Sequence, residues 1–478
     1  MRVLLIFPPF SQEEMFSSPL AAVGGHHLPL GLYYLSAMLT RNGHKVQVLD
    51  AAGYSLSAQA VYEKALAFTP DILGISATTP TFHRAVELAQ LFREKMPHIP
   101  RVLGGPHVTA TPQSAMVDGL FSIGVIGEGE VTLLELANAL EQDRDWRRLP
   151  GLAYKTGAEV TLTPPRPLIP DLDTLPLPDY ARVQDFSRYA PGVFAHKTLP
   201  VAGVITSRGC PNRCTFCDRS VFGQKLRQRS PENIAEEIIL LYHKHGIREF
   251  NFLDDTFTIN GAKRFPPLFS LLKQEGIRFP WSCSTRINAV DENLLRFMKE
   301  HGCWYISFGI ESGDADILKR IQKNLNMEQA RQVLGACRRL GITTKGFFIV
   351  GHPGETKESI ERSMQFALSL PLDQVGVFIN TPLPGTEQFD TASRYGSLAP
   401  TDWRMYNMHN PVFVPTGLTE ECLTESRRLF MRRFFVRPGT ILRFSKLFWG
   451  KGGVTRLLSV VRALPFLFFP QRVDGKTA

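Results

Sequence analysis

"SRGCPNRCTFCDRS" (207–220) places Cys210, Cys214 and Cys217 close together in a chain of 478 residues. Soft thiolates at this spacing can close around one metal centre. Zinc sites and four-iron clusters ordinarily take four protein ligands, so the absent fourth ligand is the feature to explain. Cysteine triplets in a reducing compartment also serve zinc, and what surrounds the motif must decide.

Immediately upstream, "VAGVITS" (201–207) reads as a β-strand. Downstream, "EFNFLDD" (249–255), "FPWSCSTR" (279–286), "WYISFGIE" (304–311), "TKGFFIVG" (344–351) and "QVGVFINT" (374–381) continue the strands. Helical patterns lie between them, for example at 232–245, 291–301, 327–340 and 358–369. Six βα units predict a partial (βα)6 barrel rather than a closed eight-stranded one. The cysteines then follow its first strand, at the end where such barrels carry their chemistry.

Period-2 alternation sorts the strand faces. In "CWYISFGIE", Trp304, Ile306, Phe308 and Ile310 are expected to pack on the outer helices. Cys303, Tyr305, Ser307, Gly309 and Glu311 are expected to line the lumen. Ser282, Ser284 and Arg286 share that polar phase on the preceding strand, and Asp254 and Asp255 end another. A buried lumen of this kind is costly unless it meets a charged ligand or pairs internally, as Arg286 with Glu311 or Asp255. Of the remaining cysteines, Cys283, Cys337 and Cys422 read as ordinary thiols, and Cys303 stands out by its lumen phase.

The first 140 residues hold an earlier series of strands alternating with helices, which implies a doubly wound parallel sheet. The strand ends carry "DAAG", "SATT", "GGPHVT" and "GEGE", short polar or glycine-rich loops where such sheets bind ligands. His107 and the pair His26–His27 read as structural, since a histidine beside a turn is more often that than a ligand. The whole is an α/β chain. A Rossmann-like N-terminal domain (1–144) is joined by a proline-rich linker (145–199) to the barrel (200–400). A mostly helical, basic region (401–478) closes it.

Hydrophobic residues make up 44% and charged residues 21%, the balance of a folded soluble protein. The seven cysteines show no paired framework and none precedes Cys210, which fits a reducing cytoplasm. "MRVLLIFPPF" is cut short by Pro8 and Pro9 and reads as a first strand, not a signal peptide. No apolar run reaches the roughly 18–20 residues of a membrane span. The net charge of +9 is concentrated in a tail that mixes arginines and lysines, among them Arg443, Lys446 and Lys451, with Leu, Phe and Trp. Such a mixture suits an anionic or apolar small molecule or a membrane face, or else is a solvated helix surface.

The Cys-x3-Cys-x2-Cys spacing with Phe216 before the last cysteine resembles the radical S-adenosylmethionine (SAM) superfamily. The sheet ahead of the barrel, with "DDTFTIN", "GIESGD" and "PGET", resembles its cobalamin-binding branch. That resemblance implies a [4Fe-4S] cluster on Cys210, Cys214 and Cys217, whose open iron takes SAM in the place of the missing ligand. It implies contacts to SAM from Phe216, Ser284, Arg286, Glu311 and one of Asp254 and Asp255. It implies cobalamin contacts from Ser76, Thr78, Thr79, Gly104, Gly105, Thr109, Gly127, Glu128, Gly129 and Glu130. Many cobalamin domains carry an Asp-x-His-x2-Gly loop, and the matching loop here, "DAAGYS", has no histidine. Cobalt ligation by that loop is thereby excluded.

By the same resemblance, SAM is cleaved to a 5′-deoxyadenosyl radical that takes hydrogen from an unactivated carbon, for methyl transfer in most members. Ring closure or rearrangement, as in the anaerobic magnesium-protoporphyrin ester cyclase, is the alternative. A methylthiotransferase would carry further cluster cysteines in the N-terminal domain, and there are none. A non-catalytic iron–sulfur and corrinoid carrier would not need the polar lumen. The expected partners are a small-molecule substrate and an electron donor of flavodoxin or ferredoxin type, with no nucleic acid. The expected location is the cytoplasm, with peripheral contact to the inner face of a membrane.

Overall fold

A computed structural model of the protein describes residues 1–16, 18–399, 402–445 and 453–468. Lys446, Lys451 and the side chain of Arg443 lie outside the described residues. The N-terminal sheet has strands β1 (Arg2–Phe7), β2 (Lys45–Asp50), β3 (Ile72–Ser76), β4 (Arg101–Gly104) and β5 (Ile123–Val125), in the order β2-β1-β3-β4-β5 and all parallel. Runs such as Val3–Ile6 are buried on both faces because helices cover both sides, as right-handed βαβ crossovers require. The order reverses between β1 and β3, so their carboxyl ends flank a crevice.

The connecting segment is not all linker. β6 (Leu152–Thr156) pairs antiparallel with β5, and β7 (Glu159–Leu162) pairs with β6, extending the sheet beyond residue 144. Gly157, at φ +64°, opens the two-residue turn between them, a conformation that glycine adopts without steric cost. The rest of the segment packs rather than floats. Tyr180, Phe186 and Tyr189 join a core that runs from Tyr33 and Tyr34 of helix Leu30–Arg41 into the barrel.

In the barrel, β8 (Val201–Val204) leads into β9 (Ser207–Arg208), which pairs with β10 (Arg227–Gln228) across the cysteine loop. The remaining strands are β11 (Glu249–Phe252), β12 (Trp281–Thr285), β13 (Cys303–Glu311), β14 (Thr343–Val350) and β15 (Gln374–Ile379). They form one parallel sheet in the order β15-β14-β13-β12-β11-β8, so the barrel has six strands and stays open. Helices Pro231–Lys244, Gly261–Gln274 and Met327–Leu340 cover its outer face. Their ends are capped as the sequence permits: Ser230 accepts from Asn233 N, and Asn326 accepts from Glu328 N and Gln329 N. Beyond residue 395, β16 (Gly396–Leu398) and β17 (Phe413–Pro415) form a short antiparallel pair before the helices Glu420–Phe435, Pro438–Ser445 and Gly453–Phe468.

The alternation predicted for β13 fails at its start. Trp281 of β12 stands opposite Cys303, whereas Ser282 stands opposite Tyr305, leaving Trp304 as the extra residue of a bulge. Cys303 consequently turns outward into the core beside Cys283 and Cys337, not into the lumen. Trp304 turns away from the outer helices, with Nε1 donating to Glu249 at 3.0 Å and its ring under Lys197. After Tyr305 the outer-core places of Ile306, Phe308 and Ile310 hold, although the register against β14 shifts once more between Gly309 and Glu311.

Candidate active site

The cysteine loop lies against the carboxyl end of the barrel sheet. Cys210 is half-buried, Cys214 buried and Cys217 exposed. Each sulfur whose contacts are resolved meets hydrogen-bond donors. Arg286 Nη1 stands 3.1 Å from Cys214 Sγ, Asn212 Nδ2 is 3.2 Å from Cys210 Sγ, and Thr256 Oγ1 is 3.9 Å from it. Cys214 is held below the usual thiol range by its hydrogen bond with Cys217 and by the charges of Lys323 and Arg286. Among the described residues no three His, Cys, Asp or Glu side chains form a site for a single ion. A four-iron cluster places each thiolate on a different iron, and three neighbouring thiols, two of them with donors against the sulfur and the third exposed, fit that requirement.

Glu311 and Arg286 do not pair with each other, nor does Arg286 pair with Asp255. Glu311 instead accepts from Lys323 Nζ at 2.8 Å, both side chains being nearly inaccessible. Arg286 spends its second donor on the carbonyl of Lys323, and its Nε is left without a partner. Lys323 Nζ also lies 5.9 Å from the centre of the Phe216 ring. Glu311 holds φ +68°, a left-handed conformation that a non-glycine residue keeps only under tertiary constraint. Ser284 faces the lumen and is exposed.

The two aspartates at the end of β11 divide. Asp254 is buried and satisfied by Thr206 N and Oγ1 at 3.2 and 2.8 Å and by Ser207 Oγ, which makes it a brace for the cysteine-loop strand. Asp255 is exposed, and partial desolvation by the protein around it, followed by the charge of Asp254, raises its carboxyl. A buried polar cluster that sequence reasoning missed stands at the ends of β14 and β15. Both ring nitrogens of His352, Oε1 of Glu355 and Nδ2 of Asn380 have no partner, and the His352 ring lies 5.8 Å from that of Phe216. Buried polar atoms left unpaired in this way are costly unless a polar ligand completes them, and SAM offers ammonium, carboxylate and ribose groups.

Desolvation raises the Glu355 carboxyl to about 8, against the opposing effect of backbone bonds from His352 and Gly351. A carboxyl raised in the folded state stabilises it fully below its unfolded value, near 4.5, and that contribution is lost as pH rises through 8. Glu355→Gln should therefore match the parent in Tm near pH 4.5 and exceed it increasingly toward pH 8–9, as read by thermal melts. A constant offset across that range would show that Glu355 ionises normally.

A cavity of about 370 Å³ separates the two domains. One wall is the sheet: Ser76, Gly104, Gly105, Gly127 and Gly129 from the loops after β3, β4 and β5. The other wall is the barrel: Arg208, Asp218, Phe222 and Asp255. Nothing lies within 4 Å of where a Cβ would stand on Gly104 or Gly127, so two side chains there would fill the space the glycines leave. Gly105 differs: at φ +96° its Cβ would meet the carbonyl of Ala77 at 2.7 Å. This glycine-lined cradle at the switch point fits the tail of a nucleotide-bearing cofactor.

Not every residue singled out from this sheet opens into the cradle. Thr78 bonds Thr81, and Thr79 Oγ1 meets His107 Nδ1 at 3.2 Å. Thr109 ties Gly105 O to Gly127 N at 2.9 and 3.1 Å, so it shapes the loops from behind. Glu128 and Glu130 line the cavity, but their charges are taken. Glu128 binds Arg208 and Arg227 at 2.8 Å each, and Glu130 binds Arg208 at 2.5 Å, all four side chains being buried. These ion pairs cross between the domains. Arg208 sits two positions before Cys210, the one clue in the sequence that it belonged to the site.

The chain matches two family models, the radical SAM superfamily over residues 204–367 and the B12 binding domain over residues 18–137. It is 36% identical over 445 residues to an uncharacterized methyltransferase, PH0819, of Pyrococcus horikoshii, covering 93% of this chain and 94% of that protein. It is 29% identical to the anaerobic magnesium-protoporphyrin IX monomethyl ester cyclase of Rubrivivax gelatinosus, over 91% of this chain and 79% of that one. Its fold is that of OxsB, a cobalamin-dependent SAM radical enzyme solved with aqua-cobalamin, at TM-score 0.73 and 18% identity over 97% of this chain and 72% of that one. The cysteine loop on an open barrel, the glycine cradle facing it and a relative similar from end to end agree: the chain belongs to the radical SAM enzymes with an N-terminal B12-binding domain, whose cofactors are a [4Fe-4S] cluster, SAM and cobalamin.

Proposed function

We propose that this enzyme transfers a methyl group to an unactivated carbon of a small molecule. The observation that carries the reading is the shared wall. The cradle at the sheet ends and the tips of the barrel strands, Asp255 among them, enclose one space. When bound, the cluster and SAM would supply a hydrogen-abstracting radical and cobalamin the methyl group.

Cys210, Cys214 and Cys217 hold the cluster in this reading. Glu311 and Ser284 offer oxygens to the ammonium and hydroxyls of SAM, Arg286 offers donors to its carboxylate, and Phe216 offers its ring to the adenine. Asp255, open where Asp254 is occupied, is the aspartate of the pair that faces ligand. Ser76, Gly104, Gly105, Gly127 and Gly129 let the corrinoid tail approach the backbone. Thr78, Thr79, Thr109, Glu128 and Glu130 act behind them as positioning residues. Reducing equivalents come from a flavodoxin- or ferredoxin-type donor.

The test is anaerobic reconstitution with iron, sulfide and hydroxocobalamin, then reductant and SAM. Methyl transfer is expected to yield both S-adenosylhomocysteine and 5′-deoxyadenosine. The likeness to the cyclase favours a second reading, ring closure, which gives 5′-deoxyadenosine alone. Neither product from a fully loaded cluster overturns both.

No helix among the described residues is long and apolar enough to cross a membrane. Helix Gly453–Phe468 nevertheless exposes Val454, Leu457, Leu458, Val461, Leu464 and Phe468 at helical spacing. That stripe supports peripheral contact with a membrane, to be checked by sedimentation with anionic vesicles.

A further inference from the structure

A second cavity, about 580 Å³, lies on the open side of the barrel, between the lumen faces of β14 and β15 and the C-terminal helices. Its volume is in the range, about 300–1,000 Å³, of small-molecule sites. Its walls are apolar: Phe16, Phe378, Met431, Ala463, Phe466 and their neighbours. Its polar groups are few, and among the described residues none is an Asp or Glu.

The cations on this wall differ in what they already hold. Arg427 is buried, donates from Nε to Val377 O at 2.9 Å, and meets His409 Nδ1 at 2.6 Å. Tyr305 is occupied by Gln374 at 3.1 Å. Lys345 has no ion pair or hydrogen bond among the described residues, and its ammonium lies over the Phe347 ring, 4.9 Å from the centre. Lys345 is half-buried and lines the cavity, and the protein around it desolvates the ammonium and pulls it down to about 8. A fold that spends this much on an unpaired cation at the wall of an apolar chamber is complete only with an anion of the matching kind.

We propose that this cavity binds an amphipathic monocarboxylate, its apolar body among the phenylalanines and its carboxylate on Lys345. As a statement about the substrate class of the enzyme the proposal rests on the function proposed above. As a statement about binding it does not, because the experiment needs neither cluster, SAM nor cobalamin.

Calorimetric titration of the full chain with decanoate and with decanol tests it. Decanoate is expected to bind about tenfold tighter than decanol, as a charge-assisted hydrogen bond allows. Lys345→Met, which keeps the length of the stem, is expected to erase that preference while leaving decanol unchanged. The same variant, free of ligand, should gain about 2–4 °C in Tm, because an unpaired ammonium has been removed. Ala463→Trp, which fills the chamber from the helix side, should abolish binding of both. Equal affinities in the parent, a preference that survives Lys345→Met, or binding that survives Ala463→Trp would each overturn the proposal.

Discussion

Cys214→Ala is expected to lose the iron and sulfide of the reconstituted cluster and to lower SAM cleavage about 10³-fold or more, ~4 kcal/mol in activation free energy. The size of the effect follows from its surroundings. Cys214 is the buried member of the triplet, and Arg286 and Lys323 both bias it toward the thiolate that a cluster requires. Alanine removes the ligand and leaves the Arg286 guanidinium facing an empty position. Cys337→Ala is the control. Cys337 is equally buried but lies in the outer core with Ala330 and Leu334, and its loss should leave iron content and SAM cleavage at parental levels. Full cluster occupancy in Cys214→Ala would remove the assignment of this loop as the cluster site.

Glu128→Gln is expected to destabilise the joint between the domains by about 3–5 kcal/mol, the usual result of breaking a buried ion pair from one side. Among the described residues Glu128 is the one carboxylate paired with Arg227, and it also accepts from Ile169 N at 2.8 Å. Arg208 keeps Glu130 and loses one of its two carboxylate partners. The readout is hydrogen exchange at β9 and β10 together with the thermal melt, because a joint can open without global unfolding. Unfolding of β9 and β10 should precede that of the barrel strands. Arg227→Met combined with Glu128→Gln should recover much of the loss, since the stranded cation is then gone. Parental exchange rates in the single variant would show that the network is ornamental.

The network also explains why Glu128 and Glu130 read as ligand contacts. "GEGE" at the end of a parallel strand is a fair description of a binding loop, and it does line the cradle. The partners that consume both carboxylates lie some 80 to 100 positions away, beyond the reach of any local pattern. Glu311 is a partial case, with one of its two oxygens held by Lys323. Its place on the lumen face follows from alternation along β13. Its partner Lys323 comes from a loop after the next helix, "QKNL", that shows no periodicity and no motif.

Two short-range features account for what the sequence determined by itself. Spacing of i, i+4 and i+7 gathers Cys210, Cys214 and Cys217 in one loop whatever else the chain does. Apolar runs alternating with helical periods commit the chain to parallel sheets, because residues two or three to four apart share a face. Doubly wound sheet, open six-stranded barrel and the gathering of the three cysteines were all legible on that basis. A one-residue bulge at Trp304 was not, since it arises from how β12 and β13 register, and it moved Cys303 from lumen to core. Nor was the hairpin β6–β7, where "LAYKT" and "EVTL" flank a Gly157 turn but the proline-dense run that follows masked the pattern. The tertiary structure alone decided which charges pair. Arg208 and Arg227 are quenched by Glu128 and Glu130 and Lys323 by Glu311, while Lys345, on an equally ordinary strand, is left facing an apolar chamber. Hydrophobic periodicity is a property of neighbours along the chain, whereas the partner of a buried charge is set by which distant elements the fold brings within about 3 Å.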